Sequence, residues 1–439
     1  KRDSRRAQDT AQFLTDLERN FFQGAIAYLH QSLGYQGLIY ASNWVTADAQ
    51  ILGPLDKYAN TVADFMDRHG YFGGLHEGER ASYALSSGDR YSDRSALLFT
   101  SIDPKQHEDV SLPIMDLRYN DLPSTITEVN WTMPNRFRAD FPLLAAAYGS
   151  LQGTDGFFFF ATGKHGWEPM LDKFTIASPV TMGQFPATAL MYRQGMVQPG
   201  KTVVDISLTL NDLNSLKGAP VTAPQNLDEF RAQDIPPGQT LQTQQVKSLD
   251  PFAYLVGKVN LRVVPQATPS RLLNLADFID RNAKTIRSST GQLLWNYNQG
   301  VVRVNAPQSQ GVTGFLQRAG TIELETVRLS SKMDYGTIVV IALDDRPLAT
   351  SKQMLLQVMS EEQNLGWRTD GQSPKIIQSI GTAPIAIRKL QGRVALKRSD
   401  AAKITVTALD YRGYPLRAIG NAKAITLQPD TIYYLLTSP

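Results

Sequence analysis

Three side chains are best placed to do chemistry: Glu128, which closes the β-branched run in "STITEVNW", and His69 and Tyr71, two residues apart in "DRHGYF". Side chains two apart on a strand share a face, so His69 and Tyr71 would point into one cavity. A strand-end carboxylate can act as nucleophile or as general acid or base. Its plain alternative is an ion pair with Arg136 or Arg138, just downstream. Trp44, Trp131 and Trp167, three of the five tryptophans, each fall shortly after a predicted strand. Their rings could stack on a flat ligand or equally well fill a core or interface. Asn43 adds an amide beside Trp44. Asp48, Asp67, Glu77, Glu79 and Glu168 are further acids, read as solvated loop charges. Asn135, Arg136 and Arg138 read as capping the next helix and pairing with nearby acids. No metal is implied: cysteine is absent, and His76, His107 and His165 lack a His-x-x-x-His spacing. "GYFGG" lacks the Lys-Ser/Thr ending of a phosphate loop, and no cofactor is expected.

The elements that must hold these residues alternate between helix and strand. Residues 7–33 carry Phe13, Leu14, Leu17, Phe21, Phe22, Ile26, Tyr28 and Leu29 at helical spacing, an amphipathic helix ending at Gly34. "YQGLIYASNW" predicts a strand, and the next stretch a helical turn leading into a strand near "MDRHGYF". A long loop from Gly73 to about Asp121, with one helix and a short extended piece in it, is of a length that usually signals function. Then come a strand over 124–131, a helix over 138–152, a turn from Gly153 to Gly156 and a strand over 156–161. The run "GFFFFAT" reads as a parallel strand buried on both faces. The alternation predicts a parallel α/β fold of four strands up to about Pro179. Beyond it, "KTVVDISLTL", "GQLLWNYNQGVVRVNA", "GTIELETVRL", "GTIVVIALDD", "KQMLLQVMS", "KITVTALDYRG" and "DTIYYLLTS" predict strands of one or two β-sandwich-like domains. A short helix over Leu272 to Ile286 would bridge them. The fold class is α/β plus all-β, divided as 1–180, 181–310 and 311–439.

At 439 residues the chain exceeds a single core. An apolar fraction of 42% excludes disorder as the leading reading. A net charge of +3 gives no support for nucleic-acid binding. No apolar run spans a bilayer. The start "KRDSRR", without Met or signal peptide, reads as a processed or truncated product.

These segments together resemble the clan A glycoside hydrolases, TIM (β/α)8 barrels with two catalytic glutamates. "DRHGYF" is similar to the motif ending strand six, "ITEVNW" to strand seven and "GFFFFATGKHGW" to strand eight. "GLIYASNW" then becomes strand five. The resemblance covers about residues 7–200 and implies the C-terminal half of the barrel. It makes Glu128 the nucleophile, gives His69 and Tyr71 the tasks of binding sugar hydroxyls and hydrogen-bonding Glu128 in its ionised form, and makes Trp167 the sugar platform, with Trp44, Trp131 and Asn43 as further substrate contacts. Asn43 is followed by Trp rather than Glu, so the acid/base glutamate would lie upstream of Lys1. The N-terminal half-barrel would come from another chain or from the rest of a precursor. The hairpin "STGQLLWNYNQGVVRVNAPQSQGVTGFL" is similar to an accessory β-domain of such enzymes. Implied are a carbohydrate substrate, no nucleic acid, no membrane span and an extracellular, periplasmic or cell-surface location. The competing expectation is a non-catalytic carbohydrate-binding or structural surface-assembly protein on the same scaffold.

Overall fold

The first element is helix α1 (Arg5–Ala27), continued by a π turn over Tyr28–Ser32; the structure is a computed structural model that describes residues 5–44, 51–98, 112–162, 170–219, 250–266 and 268–439. Gly34, at a φ of +69°, gives the left-handed turn on which the chain leaves it. The amphipathic pattern is present, but its apolar stripe is bare: Phe13, Leu14, Leu17 and Phe21 are each more than half exposed. What fixes α1 is its edge on helix α2 (Gly53–Asn60). Arg19 donates to the Tyr58 carbonyl at 2.7 Å and lies over the Tyr58 ring, while Ala7 and Ala11 pack on Ile51, Leu55 and Leu213.

The strand expected in "YQGLIYASNW" does not form; residues 38–44 join no sheet. A strand needs a ladder, and the backbone of this segment bonds instead to isolated residues: Asp64 accepts from Ile39 N at 2.8 Å and donates to Ile39 O at 2.9 Å, and Lys57 donates to the Trp44 carbonyl at 3.1 Å. Three parallel strands do pair, in the order β1 (Met66–Phe72), β2 (Ser124–Trp131) and β3 (Gly156–Phe159). Helix α3 (Phe141–Gln152) joins β2 to β3. It begins three residues later than expected because Pro142 suits a first turn, where no N–H is needed. It is apolar almost all round and buried almost all round. Phe141 stacks on Trp131 at 4.6 Å, and Tyr148 meets Trp295 at 5.3 Å.

Burial of β3 on both faces is not observed. Phe157 packs on Tyr192 of helix α4 (Phe185–Arg193) and Phe159 on Phe141 and Phe185, whereas Phe158 is 59% exposed. β3 is an edge strand, and the face on which Phe158 projects is uncovered. The long loop holds no α-helix among its described residues; it contributes the short pieces His76–Glu77, Arg90–Tyr91 and Leu117–Tyr119.

The remainder is sheet-rich and mostly antiparallel, so the molecule as a whole is mixed α/β. Leu117–Tyr119, from between β1 and β2, pairs in parallel with Lys258–Val263 in a sheet completed by Thr202–Leu208 and Arg271–Leu272. A ten-stranded sheet runs from Ile279–Asp280 to Pro415–Asn421, with Tyr433–Thr437 inserted between Gln353–Met359 and Thr405–Leu409. The boundary expected at 310/311 is corrected: it cuts the strand Ser309–Gly314, paired along its length with Val301–Ala306 on one side and Gly336–Ala342 on the other. The helix expected over Leu272 to Ile286 is a 3-10 turn at Leu275–Asp277 followed by a hairpin of Ile279–Asp280 with Thr285–Arg287. One large hydrophobic cluster joins β2, α3 and the ten-stranded sheet. Among the described residues no helix is long and apolar enough to cross a membrane.

Candidate active site

β1 and β2 run side by side with His69 opposite Glu128 and Tyr71 opposite Asn130, the register shifting between Arg68 and His69. The shift re-aims the histidine, as bulges do. The Tyr71 hydroxyl donates to Glu128 Oε2, and His69 Nδ1 lies 3.3 Å from the same oxygen. Tyr71 is itself immobilised, 7% exposed, with its ring against Phe174 at 5.0 Å and Phe160 at 6.0 Å. Asn130 locks those two aromatics in place, donating from Nδ2 to the carbonyls of Phe160 at 2.7 Å and Phe174 at 3.0 Å. The Glu128 side chain keeps 31% of its surface open, so the oriented carboxylate can be reached by a ligand.

Beneath Glu128 the charges are buried. Asp67 accepts from Thr125 Oγ1 at 2.7 Å, from Thr127 N at 3.1 Å and from Thr127 Oγ1. Lys57 donates to the carbonyl of Trp44 at 3.1 Å, and burial pulls its ammonium below the ordinary lysine range against the attraction of Asp56, Asp67 and Glu18. Burial likewise holds His69 below the ordinary imidazole range; Lys57 adds to this, while Glu128 and Asp67 oppose it. His69 is therefore neutral at pH 7, and its Nε2 is buried with no partner among the described residues. Burial, then Asp67 and Glu128, push the Tyr40 phenol up, which puts its hydroxyl within the field of both carboxylates.

Of the residues singled out from sequence, Glu128, His69 and Tyr71 converge. Asn43 is attached to them through Tyr40, donating from Nδ2 to its hydroxyl at 3.4 Å. Trp44 is about half exposed and joins the cluster through its carbonyl on Lys57. Trp131 is corrected as a ligand contact: it is fully buried between Phe72 and Phe141, because it sits three residues from Glu128 and so on the opposite face of β2. Trp167 lies outside the described residues, as do Asp48, Glu168, His107 and His165. The ion pair offered as an alternative for Glu128 is absent. Arg136 pairs with Asp334 at 2.6 Å and Arg138 with Glu362 at 2.8 Å. Asn135 does not cap α3; it binds Arg94, accepting from N at 3.1 Å and donating to O at 2.9 Å. Asp67 is 3% exposed, not a solvated loop charge.

Sequence reasoning passed over Asn130 and Tyr40 and read Asp67 as a solvated charge. Spacing could have tied Asn130 and Asp67 to the site, since Asn130 lies two residues past Glu128 and Asp67 two before His69. The arrangement as a whole is one reachable carboxylate, gripped by a phenol and flanked by a neutral imidazole, in the C-terminal half of a parallel strand. Among the described residues no cluster suited to a metal ion occurs. Comparison with protein-family models, curated proteins and solved structures gives no match.

Proposed function

We propose that this chain is the C-terminal half of a glycosidase-like (β/α)8 barrel, with β-sandwich-like accessory domains, and that it acts in the retaining hydrolysis of a poly- or oligosaccharide. The observation that carries the reading is the grip of Tyr71 and His69 on Glu128 across two adjacent parallel strands. Barrel enzymes assemble their chemistry at the C-terminal strand ends, and Glu128 lies in the C-terminal half of β2, three residues before its end. In the retaining mechanism Glu128 attacks the anomeric carbon, the glycosidic C–O bond breaks, and a glycosyl ester forms. A second carboxylic acid, about 5–5.5 Å away, protonates the leaving oxygen and then activates the water that cleaves the ester.

That acid is not supplied by Asp67, whose oxygens are already engaged by Thr125 and Thr127. In this reading it comes from an N-terminal half-barrel, in another chain or upstream in the same precursor. The bare stripe of α1 and the exposed Phe158 support such a complement, since each offers it a surface. The exposed part of the His69 ring and the exposed Trp44 would meet the sugar, and such a substrate suits a protein outside the cell, in a periplasm or at a cell surface.

The test is a trapping experiment on the complete assembly with activated 2-deoxy-2-fluoro glycosides. The expected result is a mass increase on the peptide carrying Glu128 and loss of hydrolysis in Glu128→Gln. Hydrolysis that survives Glu128→Gln would overturn the assignment. A non-catalytic carbohydrate-binding or surface-assembly role is favoured instead if the assembly binds saccharide, never turns it over and carries no acid opposite Glu128.

A further inference from the structure

The charge of the chain is not spread evenly. Residues 380–439 hold nine Lys and Arg against three Asp, whereas the whole chain carries only +3, so the remainder is net acidic. Three of the nine cations have a carboxylate: Arg388 has Glu361, Lys397 has Glu323 and Arg398 has Asp400. The other six, Lys389, Arg393, Lys403, Arg412, Arg417 and Lys423, are all exposed and form no ion pair among the described residues.

From this basic region projects the hairpin of Thr405–Leu409 with Pro415–Asn421, the latter being the end strand of the ten-stranded sheet. Every residue from Tyr411 to Ala418 is exposed, so the hairpin stands clear of the body on both faces. Its tip is aromatic and apolar: Tyr411 is 64%, Tyr414 67% and Leu416 59% exposed, with Pro415 among them. The turn is held in shape. Asp410 accepts from Arg412 N at 2.8 Å and Tyr414 N at 2.9 Å, and the Tyr411 hydroxyl donates to the Asp430 carbonyl at 3.2 Å. Asp410 and Asp430 are the acids near the tip. Lys403 and Lys423 flank the base, where Ala422 N donates to Ile404 O at 3.0 Å, and Arg393 lies opposite Thr426 in the neighbouring sheet.

Arginine on an edge strand is an ordinary guard against stray pairing, but two tyrosines and a leucine bared at its tip are not. The form of the hairpin narrows what they meet. A convex tip encloses no small molecule. Pairing with the same strand of a second copy is opposed by Pro415, which has no N–H, by Gly420 at a φ of +136° and by the irregular register at Val406/Thr407 and Ala408/Leu409. A projecting aromatic and aliphatic tip framed by unpaired cations does match the boundary of a lipid bilayer. Tyrosine rings settle at headgroup depth, leucine enters the acyl margin, and cations meet anionic headgroups. We propose that the hairpin docks on a lipid bilayer bearing anionic headgroups, with Tyr411, Tyr414 and Leu416 entering the interface and Arg412 and Arg417 on headgroup phosphates. This surface lies apart from Glu128 and stands whether or not that residue is a nucleophile.

The experiment is co-sedimentation of the full-length chain, in low salt, with sucrose-loaded vesicles of phosphatidylcholine alone or mixed equally with phosphatidylglycerol. The mixed vesicles are expected to bind it at least about tenfold more tightly. Tyr414→Ser with Leu416→Ser, and separately Arg412→Glu with Arg417→Glu, should weaken that binding by about fivefold or more. All four side chains are exposed, so the melting temperature should stay at the wild-type value. Because the chain has no cysteine, Tyr414→Cys places a single thiol at the tip. An NBD label on it should brighten and shift to the blue with the mixed vesicles. If either double variant melts early, the label decides alone. No binding, equal binding to both vesicles, or an unchanged NBD spectrum overturns the proposal. So does binding that survives both tip variants and is lost in Phe13→Glu with Phe21→Glu, which would assign it to α1. A dimer in sedimentation velocity that the tip variants dissolve, with no vesicle bound, overturns it in favour of a second copy.

Discussion

Arg138 and Glu362 form a buried ion pair on which the end of β2 depends, and removing both partners should cost less than the two single removals added together. Each side chain is 2% exposed, and their contact is 2.8 Å. All three guanidinium nitrogens of Arg138 are used: Nη1 on Glu362, Nε on the Trp131 carbonyl at 2.6 Å and Nη2 on the Thr175 carbonyl at 3.1 Å. Glu362 also accepts from Ser178 Oγ at 2.8 Å and from Val180 N at 2.9 Å. Burial pulls the guanidinium below its ordinary range, and Glu362 opposes that pull by charge and by its hydrogen bond. Glu362→Leu strands that cation and should cost about 3–5 kcal/mol, as should Arg138→Met, which strands the carboxylate. The double variant leaves no buried charge, so it should cost less than the sum of the two by at least ~2 kcal/mol. Urea unfolding at pH 7.5, followed by tryptophan fluorescence, measures all three. Single costs under ~1 kcal/mol, or a double variant that is additive within ~0.5 kcal/mol, would refute the reasoning. Because Arg138 holds the carbonyl three residues beyond Glu128, Glu362→Leu should also weaken ligand binding at Glu128.

Tyr71→Phe deletes one hydrogen bond to a carboxylate, ~1.5–3 kcal/mol, and should lower kcat/KM for an aryl glycoside by about 10- to 100-fold with little change in melting temperature; an unchanged rate would count against Tyr71 as a positioning residue. His76, buried between Asp89 at 3.0 Å and Lys173 at 2.9 Å, is pushed down to about 4 by burial and by Lys173. A lowered folded value means the folded state resists protonation, so the stability is fully present above about 6.5 and lost as pH falls from there towards 4, by about 3 kcal/mol in all. Melting temperature against pH should show that slope, and His76→Gln should flatten it. Phe13→Glu with Phe21→Glu should leave the melting temperature nearly unchanged, within ~0.5 kcal/mol per site, and reduce self-association in sedimentation velocity. A large loss of stability would mean that the α1 stripe is already covered in the isolated chain.

β2 was legible to the residue and β1 in its place, because short β-branched or aromatic runs there are bounded by turn formers, and several later strands were legible for the same reason. Residues 38–44 have equal strand character in Leu38, Ile39 and Tyr40, yet pairing depends on a neighbour that no local pattern reports. Leu272, Leu273, Leu275, Phe278 and Ile279 mimic a helical face, but Asn274 caps a single turn and Asp280 closes a hairpin with its carboxylate on the N–H groups of Asn282 and Ala283. The convergence of His69 and Tyr71 followed from a period of two, and the same period already excluded Trp131 from the face of Glu128. Burial of Asp67 was not legible, because it rests on donors from Thr125 and Thr127 of a strand nearly sixty residues away. A cavity beside Trp367 was invisible for a related reason: its walls come from Tyr91, Arg136 and Glu361, which only tertiary structure brings together.

The strand Tyr433–Thr437 gives the protein an order of assembly. Until residues 433–437 leave the ribosome, Gln353–Met359 and Thr405–Leu409 have no partner between them and keep open edges of the kind that recruit other chains. Tyr433 also donates to the Gly183 carbonyl at 2.7 Å, just before α4, so the packing behind β3 waits for the same residues. At ~5–20 residues per second, synthesis leaves these edges exposed for several seconds after strand Gln353–Met359 has been made. A truncation or a bulky fusion at residues 433–437 would thus split the sheet in its interior rather than fray its rim, and expression hosts rich in chaperones should raise the yield of folded protein.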